Sequence, residues 1–303
     1  MLATPEWIEE AAQRDALNAR LPGWLSRIPL YRERYNGAAA LSPANLGRLP
    51  TITKRDIRHN FPHNFLGDST VLEALLDEER IELEHTSGTS EERTPLLLEL
   101  GWWARQERRA LARNRVVAAA LAHNHRRVTI ASPVCSGDIC YTGTPSRADR
   151  VLGDSLFVSL SRHPFLWGEA DYERMAAEAL EWNPGFLDVD PIYGVQFARY
   201  CERRGVRLPG LRFILASYEF VSSVHRRILE RAFGVPVYNL YGSTETGHLL
   251  MENEHGRMTP SYETAFLEVL DGDPQGRGEL VVTTLTNDYM PLIRYRIGDL
   301  VEP

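Results

Sequence analysis

Three short loops in this chain carry residue types that can do chemistry together. The first, His85-Thr86-Ser87-Gly88-Thr89-Ser90, crowds hydroxyls around a glycine between two predicted strands. Gly88 permits close backbone approach, and turn amides with hydroxyls can cradle phosphate oxygens; a plain loop has the same composition. The second, Tyr241-Gly242-Ser243-Thr244-Glu245-Thr246, directly follows a predicted strand. Ligands of open α/β sheets gather at the carboxyl ends of strands, so this placement favours a site. Thr244 can bond a phosphate oxygen there, and the Glu245 carboxylate can bind a hard cation such as Mg²⁺. The bland alternative is a tight turn with a solvated acid. The third, Arg294-Tyr295-Arg296-Ile297-Gly298-Asp299, sets a carboxylate behind a glycine turn, where it can accept both hydroxyls of a ribose. Taken alone, a surface turn with an Asp cap explains it more simply.

The elements that must position these loops are legible in the hydrophobic pattern. Trp7, Ile8, Ala11, Ala12 and Ala16 recur at helical spacing after Thr4-Pro5, where Thr4 can cap and Pro5 can open a helix. In LPTITKRDIRHNFP, residues 49 to 62, Thr53 caps a short helix, and by itself the segment reads as well as a structural clasp as anything more. From residue 101, Trp103, Ala110, Leu111, Val117, Ala118 and Leu121 form one apolar stripe of an amphipathic helix, with Arg105, Arg108, Arg109 and Arg113 on its solvated side. Strands at 128–131, 186–190, 211–217 and 235–241 then alternate with helices at 171–182, 192–204 and 224–233. That alternation predicts βαβ crossovers and a largely parallel sheet. FLEVL at 266–270, DGDPQGRG and ELVVTTL at 279–285 read as a hairpin, so an α/β body is followed by an antiparallel β segment.

Composition narrows the class. The chain has 303 residues, 43% apolar and 25% charged, close to the average for soluble globular proteins, which excludes wholesale disorder. No run approaches the 18 apolar residues of a membrane span, and the start, MLATPEWIEE, lacks the features of a secretory signal. Forty-one acids against 34 bases give a net charge of −7, which argues against nucleic acid as a partner. Cys135, Cys140 and Cys201 show no metal-like pairing and suit a reducing compartment. A soluble cytoplasmic protein without membrane or nucleic-acid partners is expected; the oligomeric state is left open.

In combination and order these motifs resemble the adenylate-forming enzymes, the superfamily of acyl-CoA synthetases, luciferases and peptide-synthetase adenylation domains, and within it the phenylacetate-coenzyme A ligase branch. The resemblance runs from about Leu49 to the C-terminus. LPTITKRDIRHNFP looks like that branch's leading segment, HTSGTS like its phosphate loop and YGSTE like its aromatic-Gly-Ser/Thr-Glu motif. TTLTNDYMPLIRYRIGDL, the longest and most specific stretch, is similar to its terminal ribose-binding segment. LRFILASYEF occupies the place of the adenine-contacting strand end, with Glu219 22 residues before Tyr241.

The resemblance implies an α/β fold, the layered αβαβα large N-terminal domain of these enzymes with a C-terminal antiparallel β segment. Residues 1–60 would form a helical leading segment, 61–260 the α/β body and 261–303 the β segment ending at the hinge. The small C-terminal lid domain, which brings the lysine that assists adenylation, is expected beyond Pro303, as if excised; this chain alone would then turn over weakly or not at all. The implied activity is ATP-dependent conversion of a carboxylic acid, an aromatic one, to an acyl-adenylate with release of pyrophosphate. The acyl group then passes to coenzyme A or a carrier-protein phosphopantetheine thiol; an amine or other nucleophile, or a degenerate binding module without turnover, are the alternatives. By resemblance Thr86, Ser87, Gly88 and Thr89 hold ATP phosphates, Thr244 touches the α-phosphate and Glu245 binds Mg²⁺. Asp299 binds the ribose, and Ser217, Tyr218 and Glu219 line the adenine opposite Asn239, Leu240 and Tyr241, with Gly242 and Ser243 completing the turn. Ser132, Val134 and Cys135 are the candidates for the acid pocket.

The chain departs from the family pattern in four places. Ser90-Glu91-Glu92-Arg93 replaces the usual Gly of the phosphate loop and sets two carboxylates near a triphosphate, with Arg93 as a replacement cation. Ser-Tyr-Glu-Phe stands where the branch has Gly-Ala-Glu-Pro, and the bulk of Tyr218 narrows the pocket. Asp138, Arg147 and Arg150 make the acid-pocket region polar, which points to an acid other than phenylacetate with extra polar groups. GHLLMENEHG has no cysteine where some members of the branch carry a cysteine-based zinc site; His248, Glu252 and His255 are spaced plausibly for a ligand set, though a lone loop histidine is usually no ligand.

Overall fold

Parallel strands that are apolar on both faces need helices on both sides, and the central sheet of this protein meets that demand. The computed structural model describes residues 6–35, 46–47, 49–86, 93–133, 145–161 and 163–302. Its strands, in chain order, begin with β1 (Ile81–His85), β2 (Pro95–Glu99), β3 (Arg127–Ile130), β4 (Val151–Leu152), β5 (Ser155–Phe157) and β6 (Phe186–Val189). They continue with β7 (Phe213–Ala216), β8 (Val237–Ser243), β9 (Gly247–Glu252), β10 (Met258–Pro260), β11 (Ala265–Leu270), β12 (Gly278–Thr284) and β13 (Tyr295–Val301). An eight-stranded sheet among the described residues has the order β10-β9-β8-β7-β6-β3-β5-β4. Its centre, β5-β3-β6-β7-β8, is parallel, and β4 and β10 pair antiparallel at the two margins.

The chain divides into two compact units. One comprises Ala110–Tyr241 and Leu250–Pro260. On one sheet face Val128, Ile130, Leu187, Val189, Ile214, Ala216 and Val237 pack against helices Glu169–Trp182, Pro191–Arg204 and Ser223–Phe233. On the other face Phe186, Phe213, Leu215, Tyr238 and Leu240 meet Ala110, Leu111 and Val117. The expected crossovers form because each helix has its start and stop written locally. Asp190 accepts from the Ile192 amide and Ser222 from the His225 amide, while Gly205 and Gly234 end their helices in the left-handed conformation.

One expected element divides. The stripe beginning at residue 101 belongs to two helices, Trp102–Leu111 and Arg115–His123. Asn114 starts the second by accepting from the Val116 and Val117 amides, and its own amide donates to the Glu252 carbonyl at 2.9 Å. A long-range bond and a local cap together outweigh continuation of one helix. Trp103, expected on the buried stripe, is exposed, and its neighbour Trp102 is the buried indole.

The second unit comprises the described parts of Met1–Arg109, Gly242–Leu249 and Ser261–Pro303. β1 and β2 form an antiparallel pair, and β11, β12 and β13 form the antiparallel sheet expected at the end of the chain. The first helix, Glu6–Arg27, is longer than its first few apolar residues announce, and Pro29–Arg34 follows at once. Leu17, Leu21, Trp24, Ile28 and Tyr31 pack with Leu285, Met290, Leu292 and Ile293 in one core. Tyr31 ties the two ends together: its hydroxyl donates to the Pro291 carbonyl at 2.6 Å and accepts from the Ile293 amide at 3.0 Å. Burial pushes this phenol well above its ordinary pKa, so it remains a donor. Tyr31→Phe keeps the ring and orphans two buried backbone groups, and should lower unfolding free energy by about 1–3 kcal/mol in urea denaturation.

Candidate functional site

The turn from β8 to β9 is built so that a carboxylate points inward. A Cβ on Gly242 would stand 2.1 Å from the Gly247 carbonyl oxygen, and Gly247 has φ +70 with Trp102 Cη2 only 2.8 Å from where a Cβ would be. Neither position admits a side chain. The Thr246 amide donates to the Ser243 carbonyl at 3.2 Å and their hydroxyls lie 3.0 Å apart, closing the turn. Glu245 is thereby turned in and left 6% exposed, while Thr244 stays half-buried. β8 runs on to Ser243, so Gly242 and Ser243 are strand residues rather than loop.

A buried carboxylate requires partners, and among the described residues Glu245 has two. The Tyr295 hydroxyl donates to Oε1 at 3.0 Å, and Lys54 Nζ lies 3.1 Å from the same oxygen. Burial and the adjacent Glu245 charge raise the Tyr295 pKa far above its ordinary value, so the phenol stays neutral and donating. Lys54 arrives from residues 49–62, and the chain positions it with care. Ile52 pairs in parallel with Tyr295: its amide donates to the Arg294 carbonyl, and the Arg296 amide donates to its carbonyl. Thr53 then starts the short helix Lys54–Arg58, its amide and hydroxyl both donating to Asp56 Oδ2, while Arg34 grips Asp56 Oδ1 at 2.5 Å. Partial burial opposes the charge on Asp56, but the Thr53 hydrogen bonds and the Arg34 ion pair outweigh it and lower its pKa.

Asp299 is carried by a β-bulge rather than a free turn. Arg296 pairs with Val281 and Leu300 with Glu279, so Ile297, Gly298 and Asp299 together stand opposite Leu280 alone. Gly298 supplies the left-handed φ of +96 that the bulge needs, and Asp299 is exposed. Thr86 closes the neck of the β1–β2 hairpin: its amide donates to the Thr94 carbonyl at 3.0 Å, and its hydroxyl accepts from the Thr94 amide at 3.1 Å. Ser87, Gly88 and Thr89 lie outside the described residues.

The other unit carries a second cluster at the carboxyl ends of its strands. The Ser217 hydroxyl donates to Asp188 Oδ1 at 2.5 Å, the Tyr218 hydroxyl reaches Oδ2 at 3.4 Å, and Arg127 lies 3.7 Å from the same carboxylate. Tyr218 has φ +72, and the Glu219 amide donates back to the Ser217 carbonyl, a tight three-residue turn that holds a bulky residue in a costly conformation. Tyr218 and Glu219 are exposed. Across β7, the Asn239 amide donates to Glu252 Oε2 at 2.8 Å, Leu240 is buried and Tyr241 half-buried. Ser132 is half-buried beyond the end of β3; Val134 and Cys135 lie outside the described residues.

Two expectations of extra polarity lose their ground. Arg150 is buried in a two-pronged pair with Glu178, at 2.8 and 2.5 Å, and Arg147 pairs with Glu181 at 2.5 Å. Both cations are consumed within the fold and give no reason to expect a polar acid. Of the proposed zinc-site residues, Glu252 pairs with Arg226 at 2.6 Å, and the His248 ring lies 4.7 Å from that of Trp103. Among the described residues no group of three His, Cys, Asp or Glu is placed to hold a metal. Glu245 is different in kind: a buried carboxylate whose two partners both engage Oε1, a hard oxygen ligand of the sort Mg²⁺ takes.

Sequence reasoning passed over three contributors. Tyr295 stands inside a quoted motif, yet its role depends on a partner 50 residues away in sequence. Lys54 carried no signal beyond its place in the 49–62 segment. Asp188 did carry one, an acid in the middle of a strand whose four residues are all buried.

Comparison with known proteins bears on the fold. No protein-family model matches the chain. The solved structure of 2-hydroxyisobutyryl-CoA ligase, in complex with an acyl-AMP in the postadenylation state, superposes with a TM-score of 0.70 at 19% identity, over 99% of this chain and 64% of that one. The fold is therefore that of the large N-terminal part of adenylate-forming ligases. More particularly, the phenylacetate-coenzyme A ligases of Pseudomonas putida and Thermus thermophilus are homologues, each 26% identical over 95% and 96% of this chain. The chain spans 65% and 64% of the length of those two relatives. Among the described residues no helix is long and apolar enough to cross a membrane.

Gly247→Ala forces a Cβ against Trp102 at positive φ and should destabilise the protein by about 2 kcal/mol or more, read by chemical denaturation. Asp56→Asn gives a pH test. The folded-state pKa is depressed, so the Asp56 contribution is present above the unfolded carboxylate pKa and is lost as pH falls through the folded value. The stability gap between wild type and Asp56→Asn should be widest near neutrality and close in acid, below the ordinary carboxylate range.

Proposed function

We propose that this chain is the adenylating part of an acid–thiol ligase: it binds ATP with Mg²⁺ and a carboxylic acid, and forms the acyl-adenylate with release of pyrophosphate. A carboxylate oxygen attacks the α-phosphorus, so the protein must hold two anions in line and screen their charge. The acyl group then goes to coenzyme A in the whole enzyme; a carrier-protein phosphopantetheine is the same chemistry on a tethered thiol. The acid is aromatic, in keeping with the phenylacetate-coenzyme A ligase relatives and with the engagement of Arg147 and Arg150 by glutamates.

In this reading Ser217, Tyr218, Glu219, Asn239, Leu240 and Tyr241 receive the adenine, and Asp299 on its bulge accepts the ribose hydroxyls. Thr244 donates to the α-phosphate, Glu245 holds Mg²⁺, and the 86–89 loop takes the remaining phosphates. Mg²⁺, when bound, screens phosphate charge during the attack. The observation that best supports the reading is the bond between Tyr295 and Glu245, because it joins two motifs that the resemblance assigns to one nucleotide.

Calorimetric titration of the 303-residue chain with ATP·Mg²⁺ and with AMP tests it. Both should bind in the micromolar to millimolar range. Asp299→Ala should weaken both by about tenfold or more, and Glu245→Ala should reduce mainly the Mg²⁺-dependent part. A folded wild-type chain that binds neither nucleotide would refute the proposal.

A further inference from the structure

Lys54 is the charge that most invites explanation. Its ammonium sits 3.1 Å from a carboxylate that is 4% exposed, yet the Lys54 side chain is itself 44% exposed. A lysine that served only to neutralise Glu245 would gain from being buried with it, since solvent weakens an ion pair. The backbone, by contrast, is fixed tightly: Ile52 is hydrogen-bonded on both sides to residues 294 and 296, and Asp56 locks the first turn of the helix through Thr53 and Arg34. A fixed backbone with a partly solvent-exposed ammonium is the arrangement of a side chain that can change partners. Arg58 lies one turn further along the same helix, on the same face, and acts electrostatically on Tyr295.

The phosphate loop sharpens the need. By sequence this loop has two acids, Glu91 and Glu92, which lie outside the described residues, followed by Arg93, which is exposed. A triphosphate is itself polyanionic and requires positive charge around it. Lys54 is positive charge already held at the Mg²⁺ ligand by a segment outside the three motifs.

Building on the adenylating reading, we propose that Lys54 is a phosphate-binding residue, held ready by Glu245 in the nucleotide-free protein and transferred to a nucleotide phosphate oxygen when Mg²⁺ takes Glu245. The exchange conserves charge pairing. Glu245 trades an ammonium for a metal ion, and the ammonium trades a carboxylate for a phosphate, so neither anion is left buried and unscreened. The four-carbon stem and three rotatable donors of lysine suit such a move, whereas the planar guanidinium of arginine is better matched to a fixed carboxylate.

Lys54→Gln tests this, because glutamine can still donate to Glu245 Oε1 and so preserves the local fold while removing the charge. Calorimetry would use ATP·Mg²⁺, inorganic pyrophosphate with Mg²⁺, and adenosine as separate probes, with thermal melting to confirm folding. Lys54→Gln should weaken ATP·Mg²⁺ and pyrophosphate by about ten- to a hundredfold and leave adenosine within about twofold of wild type; Lys54→Arg should recover part of the loss. A purely structural lysine would shift all three probes together or none, and either pattern overturns the proposal. Should the wild-type chain bind neither adenosine nor ATP, the adenylating reading falls and takes this proposal with it. If wild type binds ATP and Lys54→Gln binds it equally well, only the role of Lys54 falls.

Discussion

A carboxylate buried as deeply as Glu245 must be hydrogen-bonded and paired. That constraint organises one unit of this protein. The donor, Tyr295, comes from the end of the chain and the cation, Lys54, from near its beginning. To bring both to one oxygen, the 49–62 segment must run beside β13, which it does through the Ile52–Tyr295 pairing. The helices at the start of the chain must then close over the terminal segment, which they do through the Tyr31 hydroxyl and the apolar residues around it. Removing one partner of such a buried group costs more than the pair contributes, because the remaining charge is left without compensation.

The other unit solves a different problem. A parallel sheet covered on both faces has little room for polar groups except at its strand ends. Asp188 sits near that limit, in a fully buried strand, and is satisfied by the Ser217 hydroxyl and the reach of Tyr218. Tyr218 is held at positive φ by the short turn between Ser217 and Glu219. Strain of this sort persists only where surrounding bonds over-determine it, and here the phenol–carboxylate contact and the turn hydrogen bond do so. Asn239 is fixed in a comparable way, its backbone amide held by Glu252, which Arg226 in turn engages.

These arrangements give the residues once considered for metal or for polar substrate recognition a plainer role. Glu252, Arg147 and Arg150 are partners within the fold, each with a charged neighbour at hydrogen-bonding distance. Such pairs tie a turn or a strand to a neighbouring helix, as Arg150 does with Glu178 and Glu252 with Arg226. Glu245 stands apart because its cation is not packed around it but reaches in from solvent.

Local features of the chain made much of this legible. Alternating strands and helices with capping residues at their starts, Asp190 and Ser222 among them, specify the parallel sheet, because capping and hydrophobic period are properties of neighbouring residues. The same locality makes the YGSTE turn and the Thr53 cap recognisable: glycine and hydroxyl positions reveal a turn without any partner. The tertiary structure decided what no short window contains. It split one amphipathic stripe into two helices because Asn114 bonds to residue 252, and it exchanged Trp103 for Trp102 in the core. It put Asp299 on a bulge, since a register shift exists only between two strands. It brought Lys54 and Tyr295 to Glu245, across 191 and 50 residues of sequence. Secondary structure follows from the nearest few residues, whereas a buried charge chooses its partners from whatever the folded chain brings within about 3 Å of it.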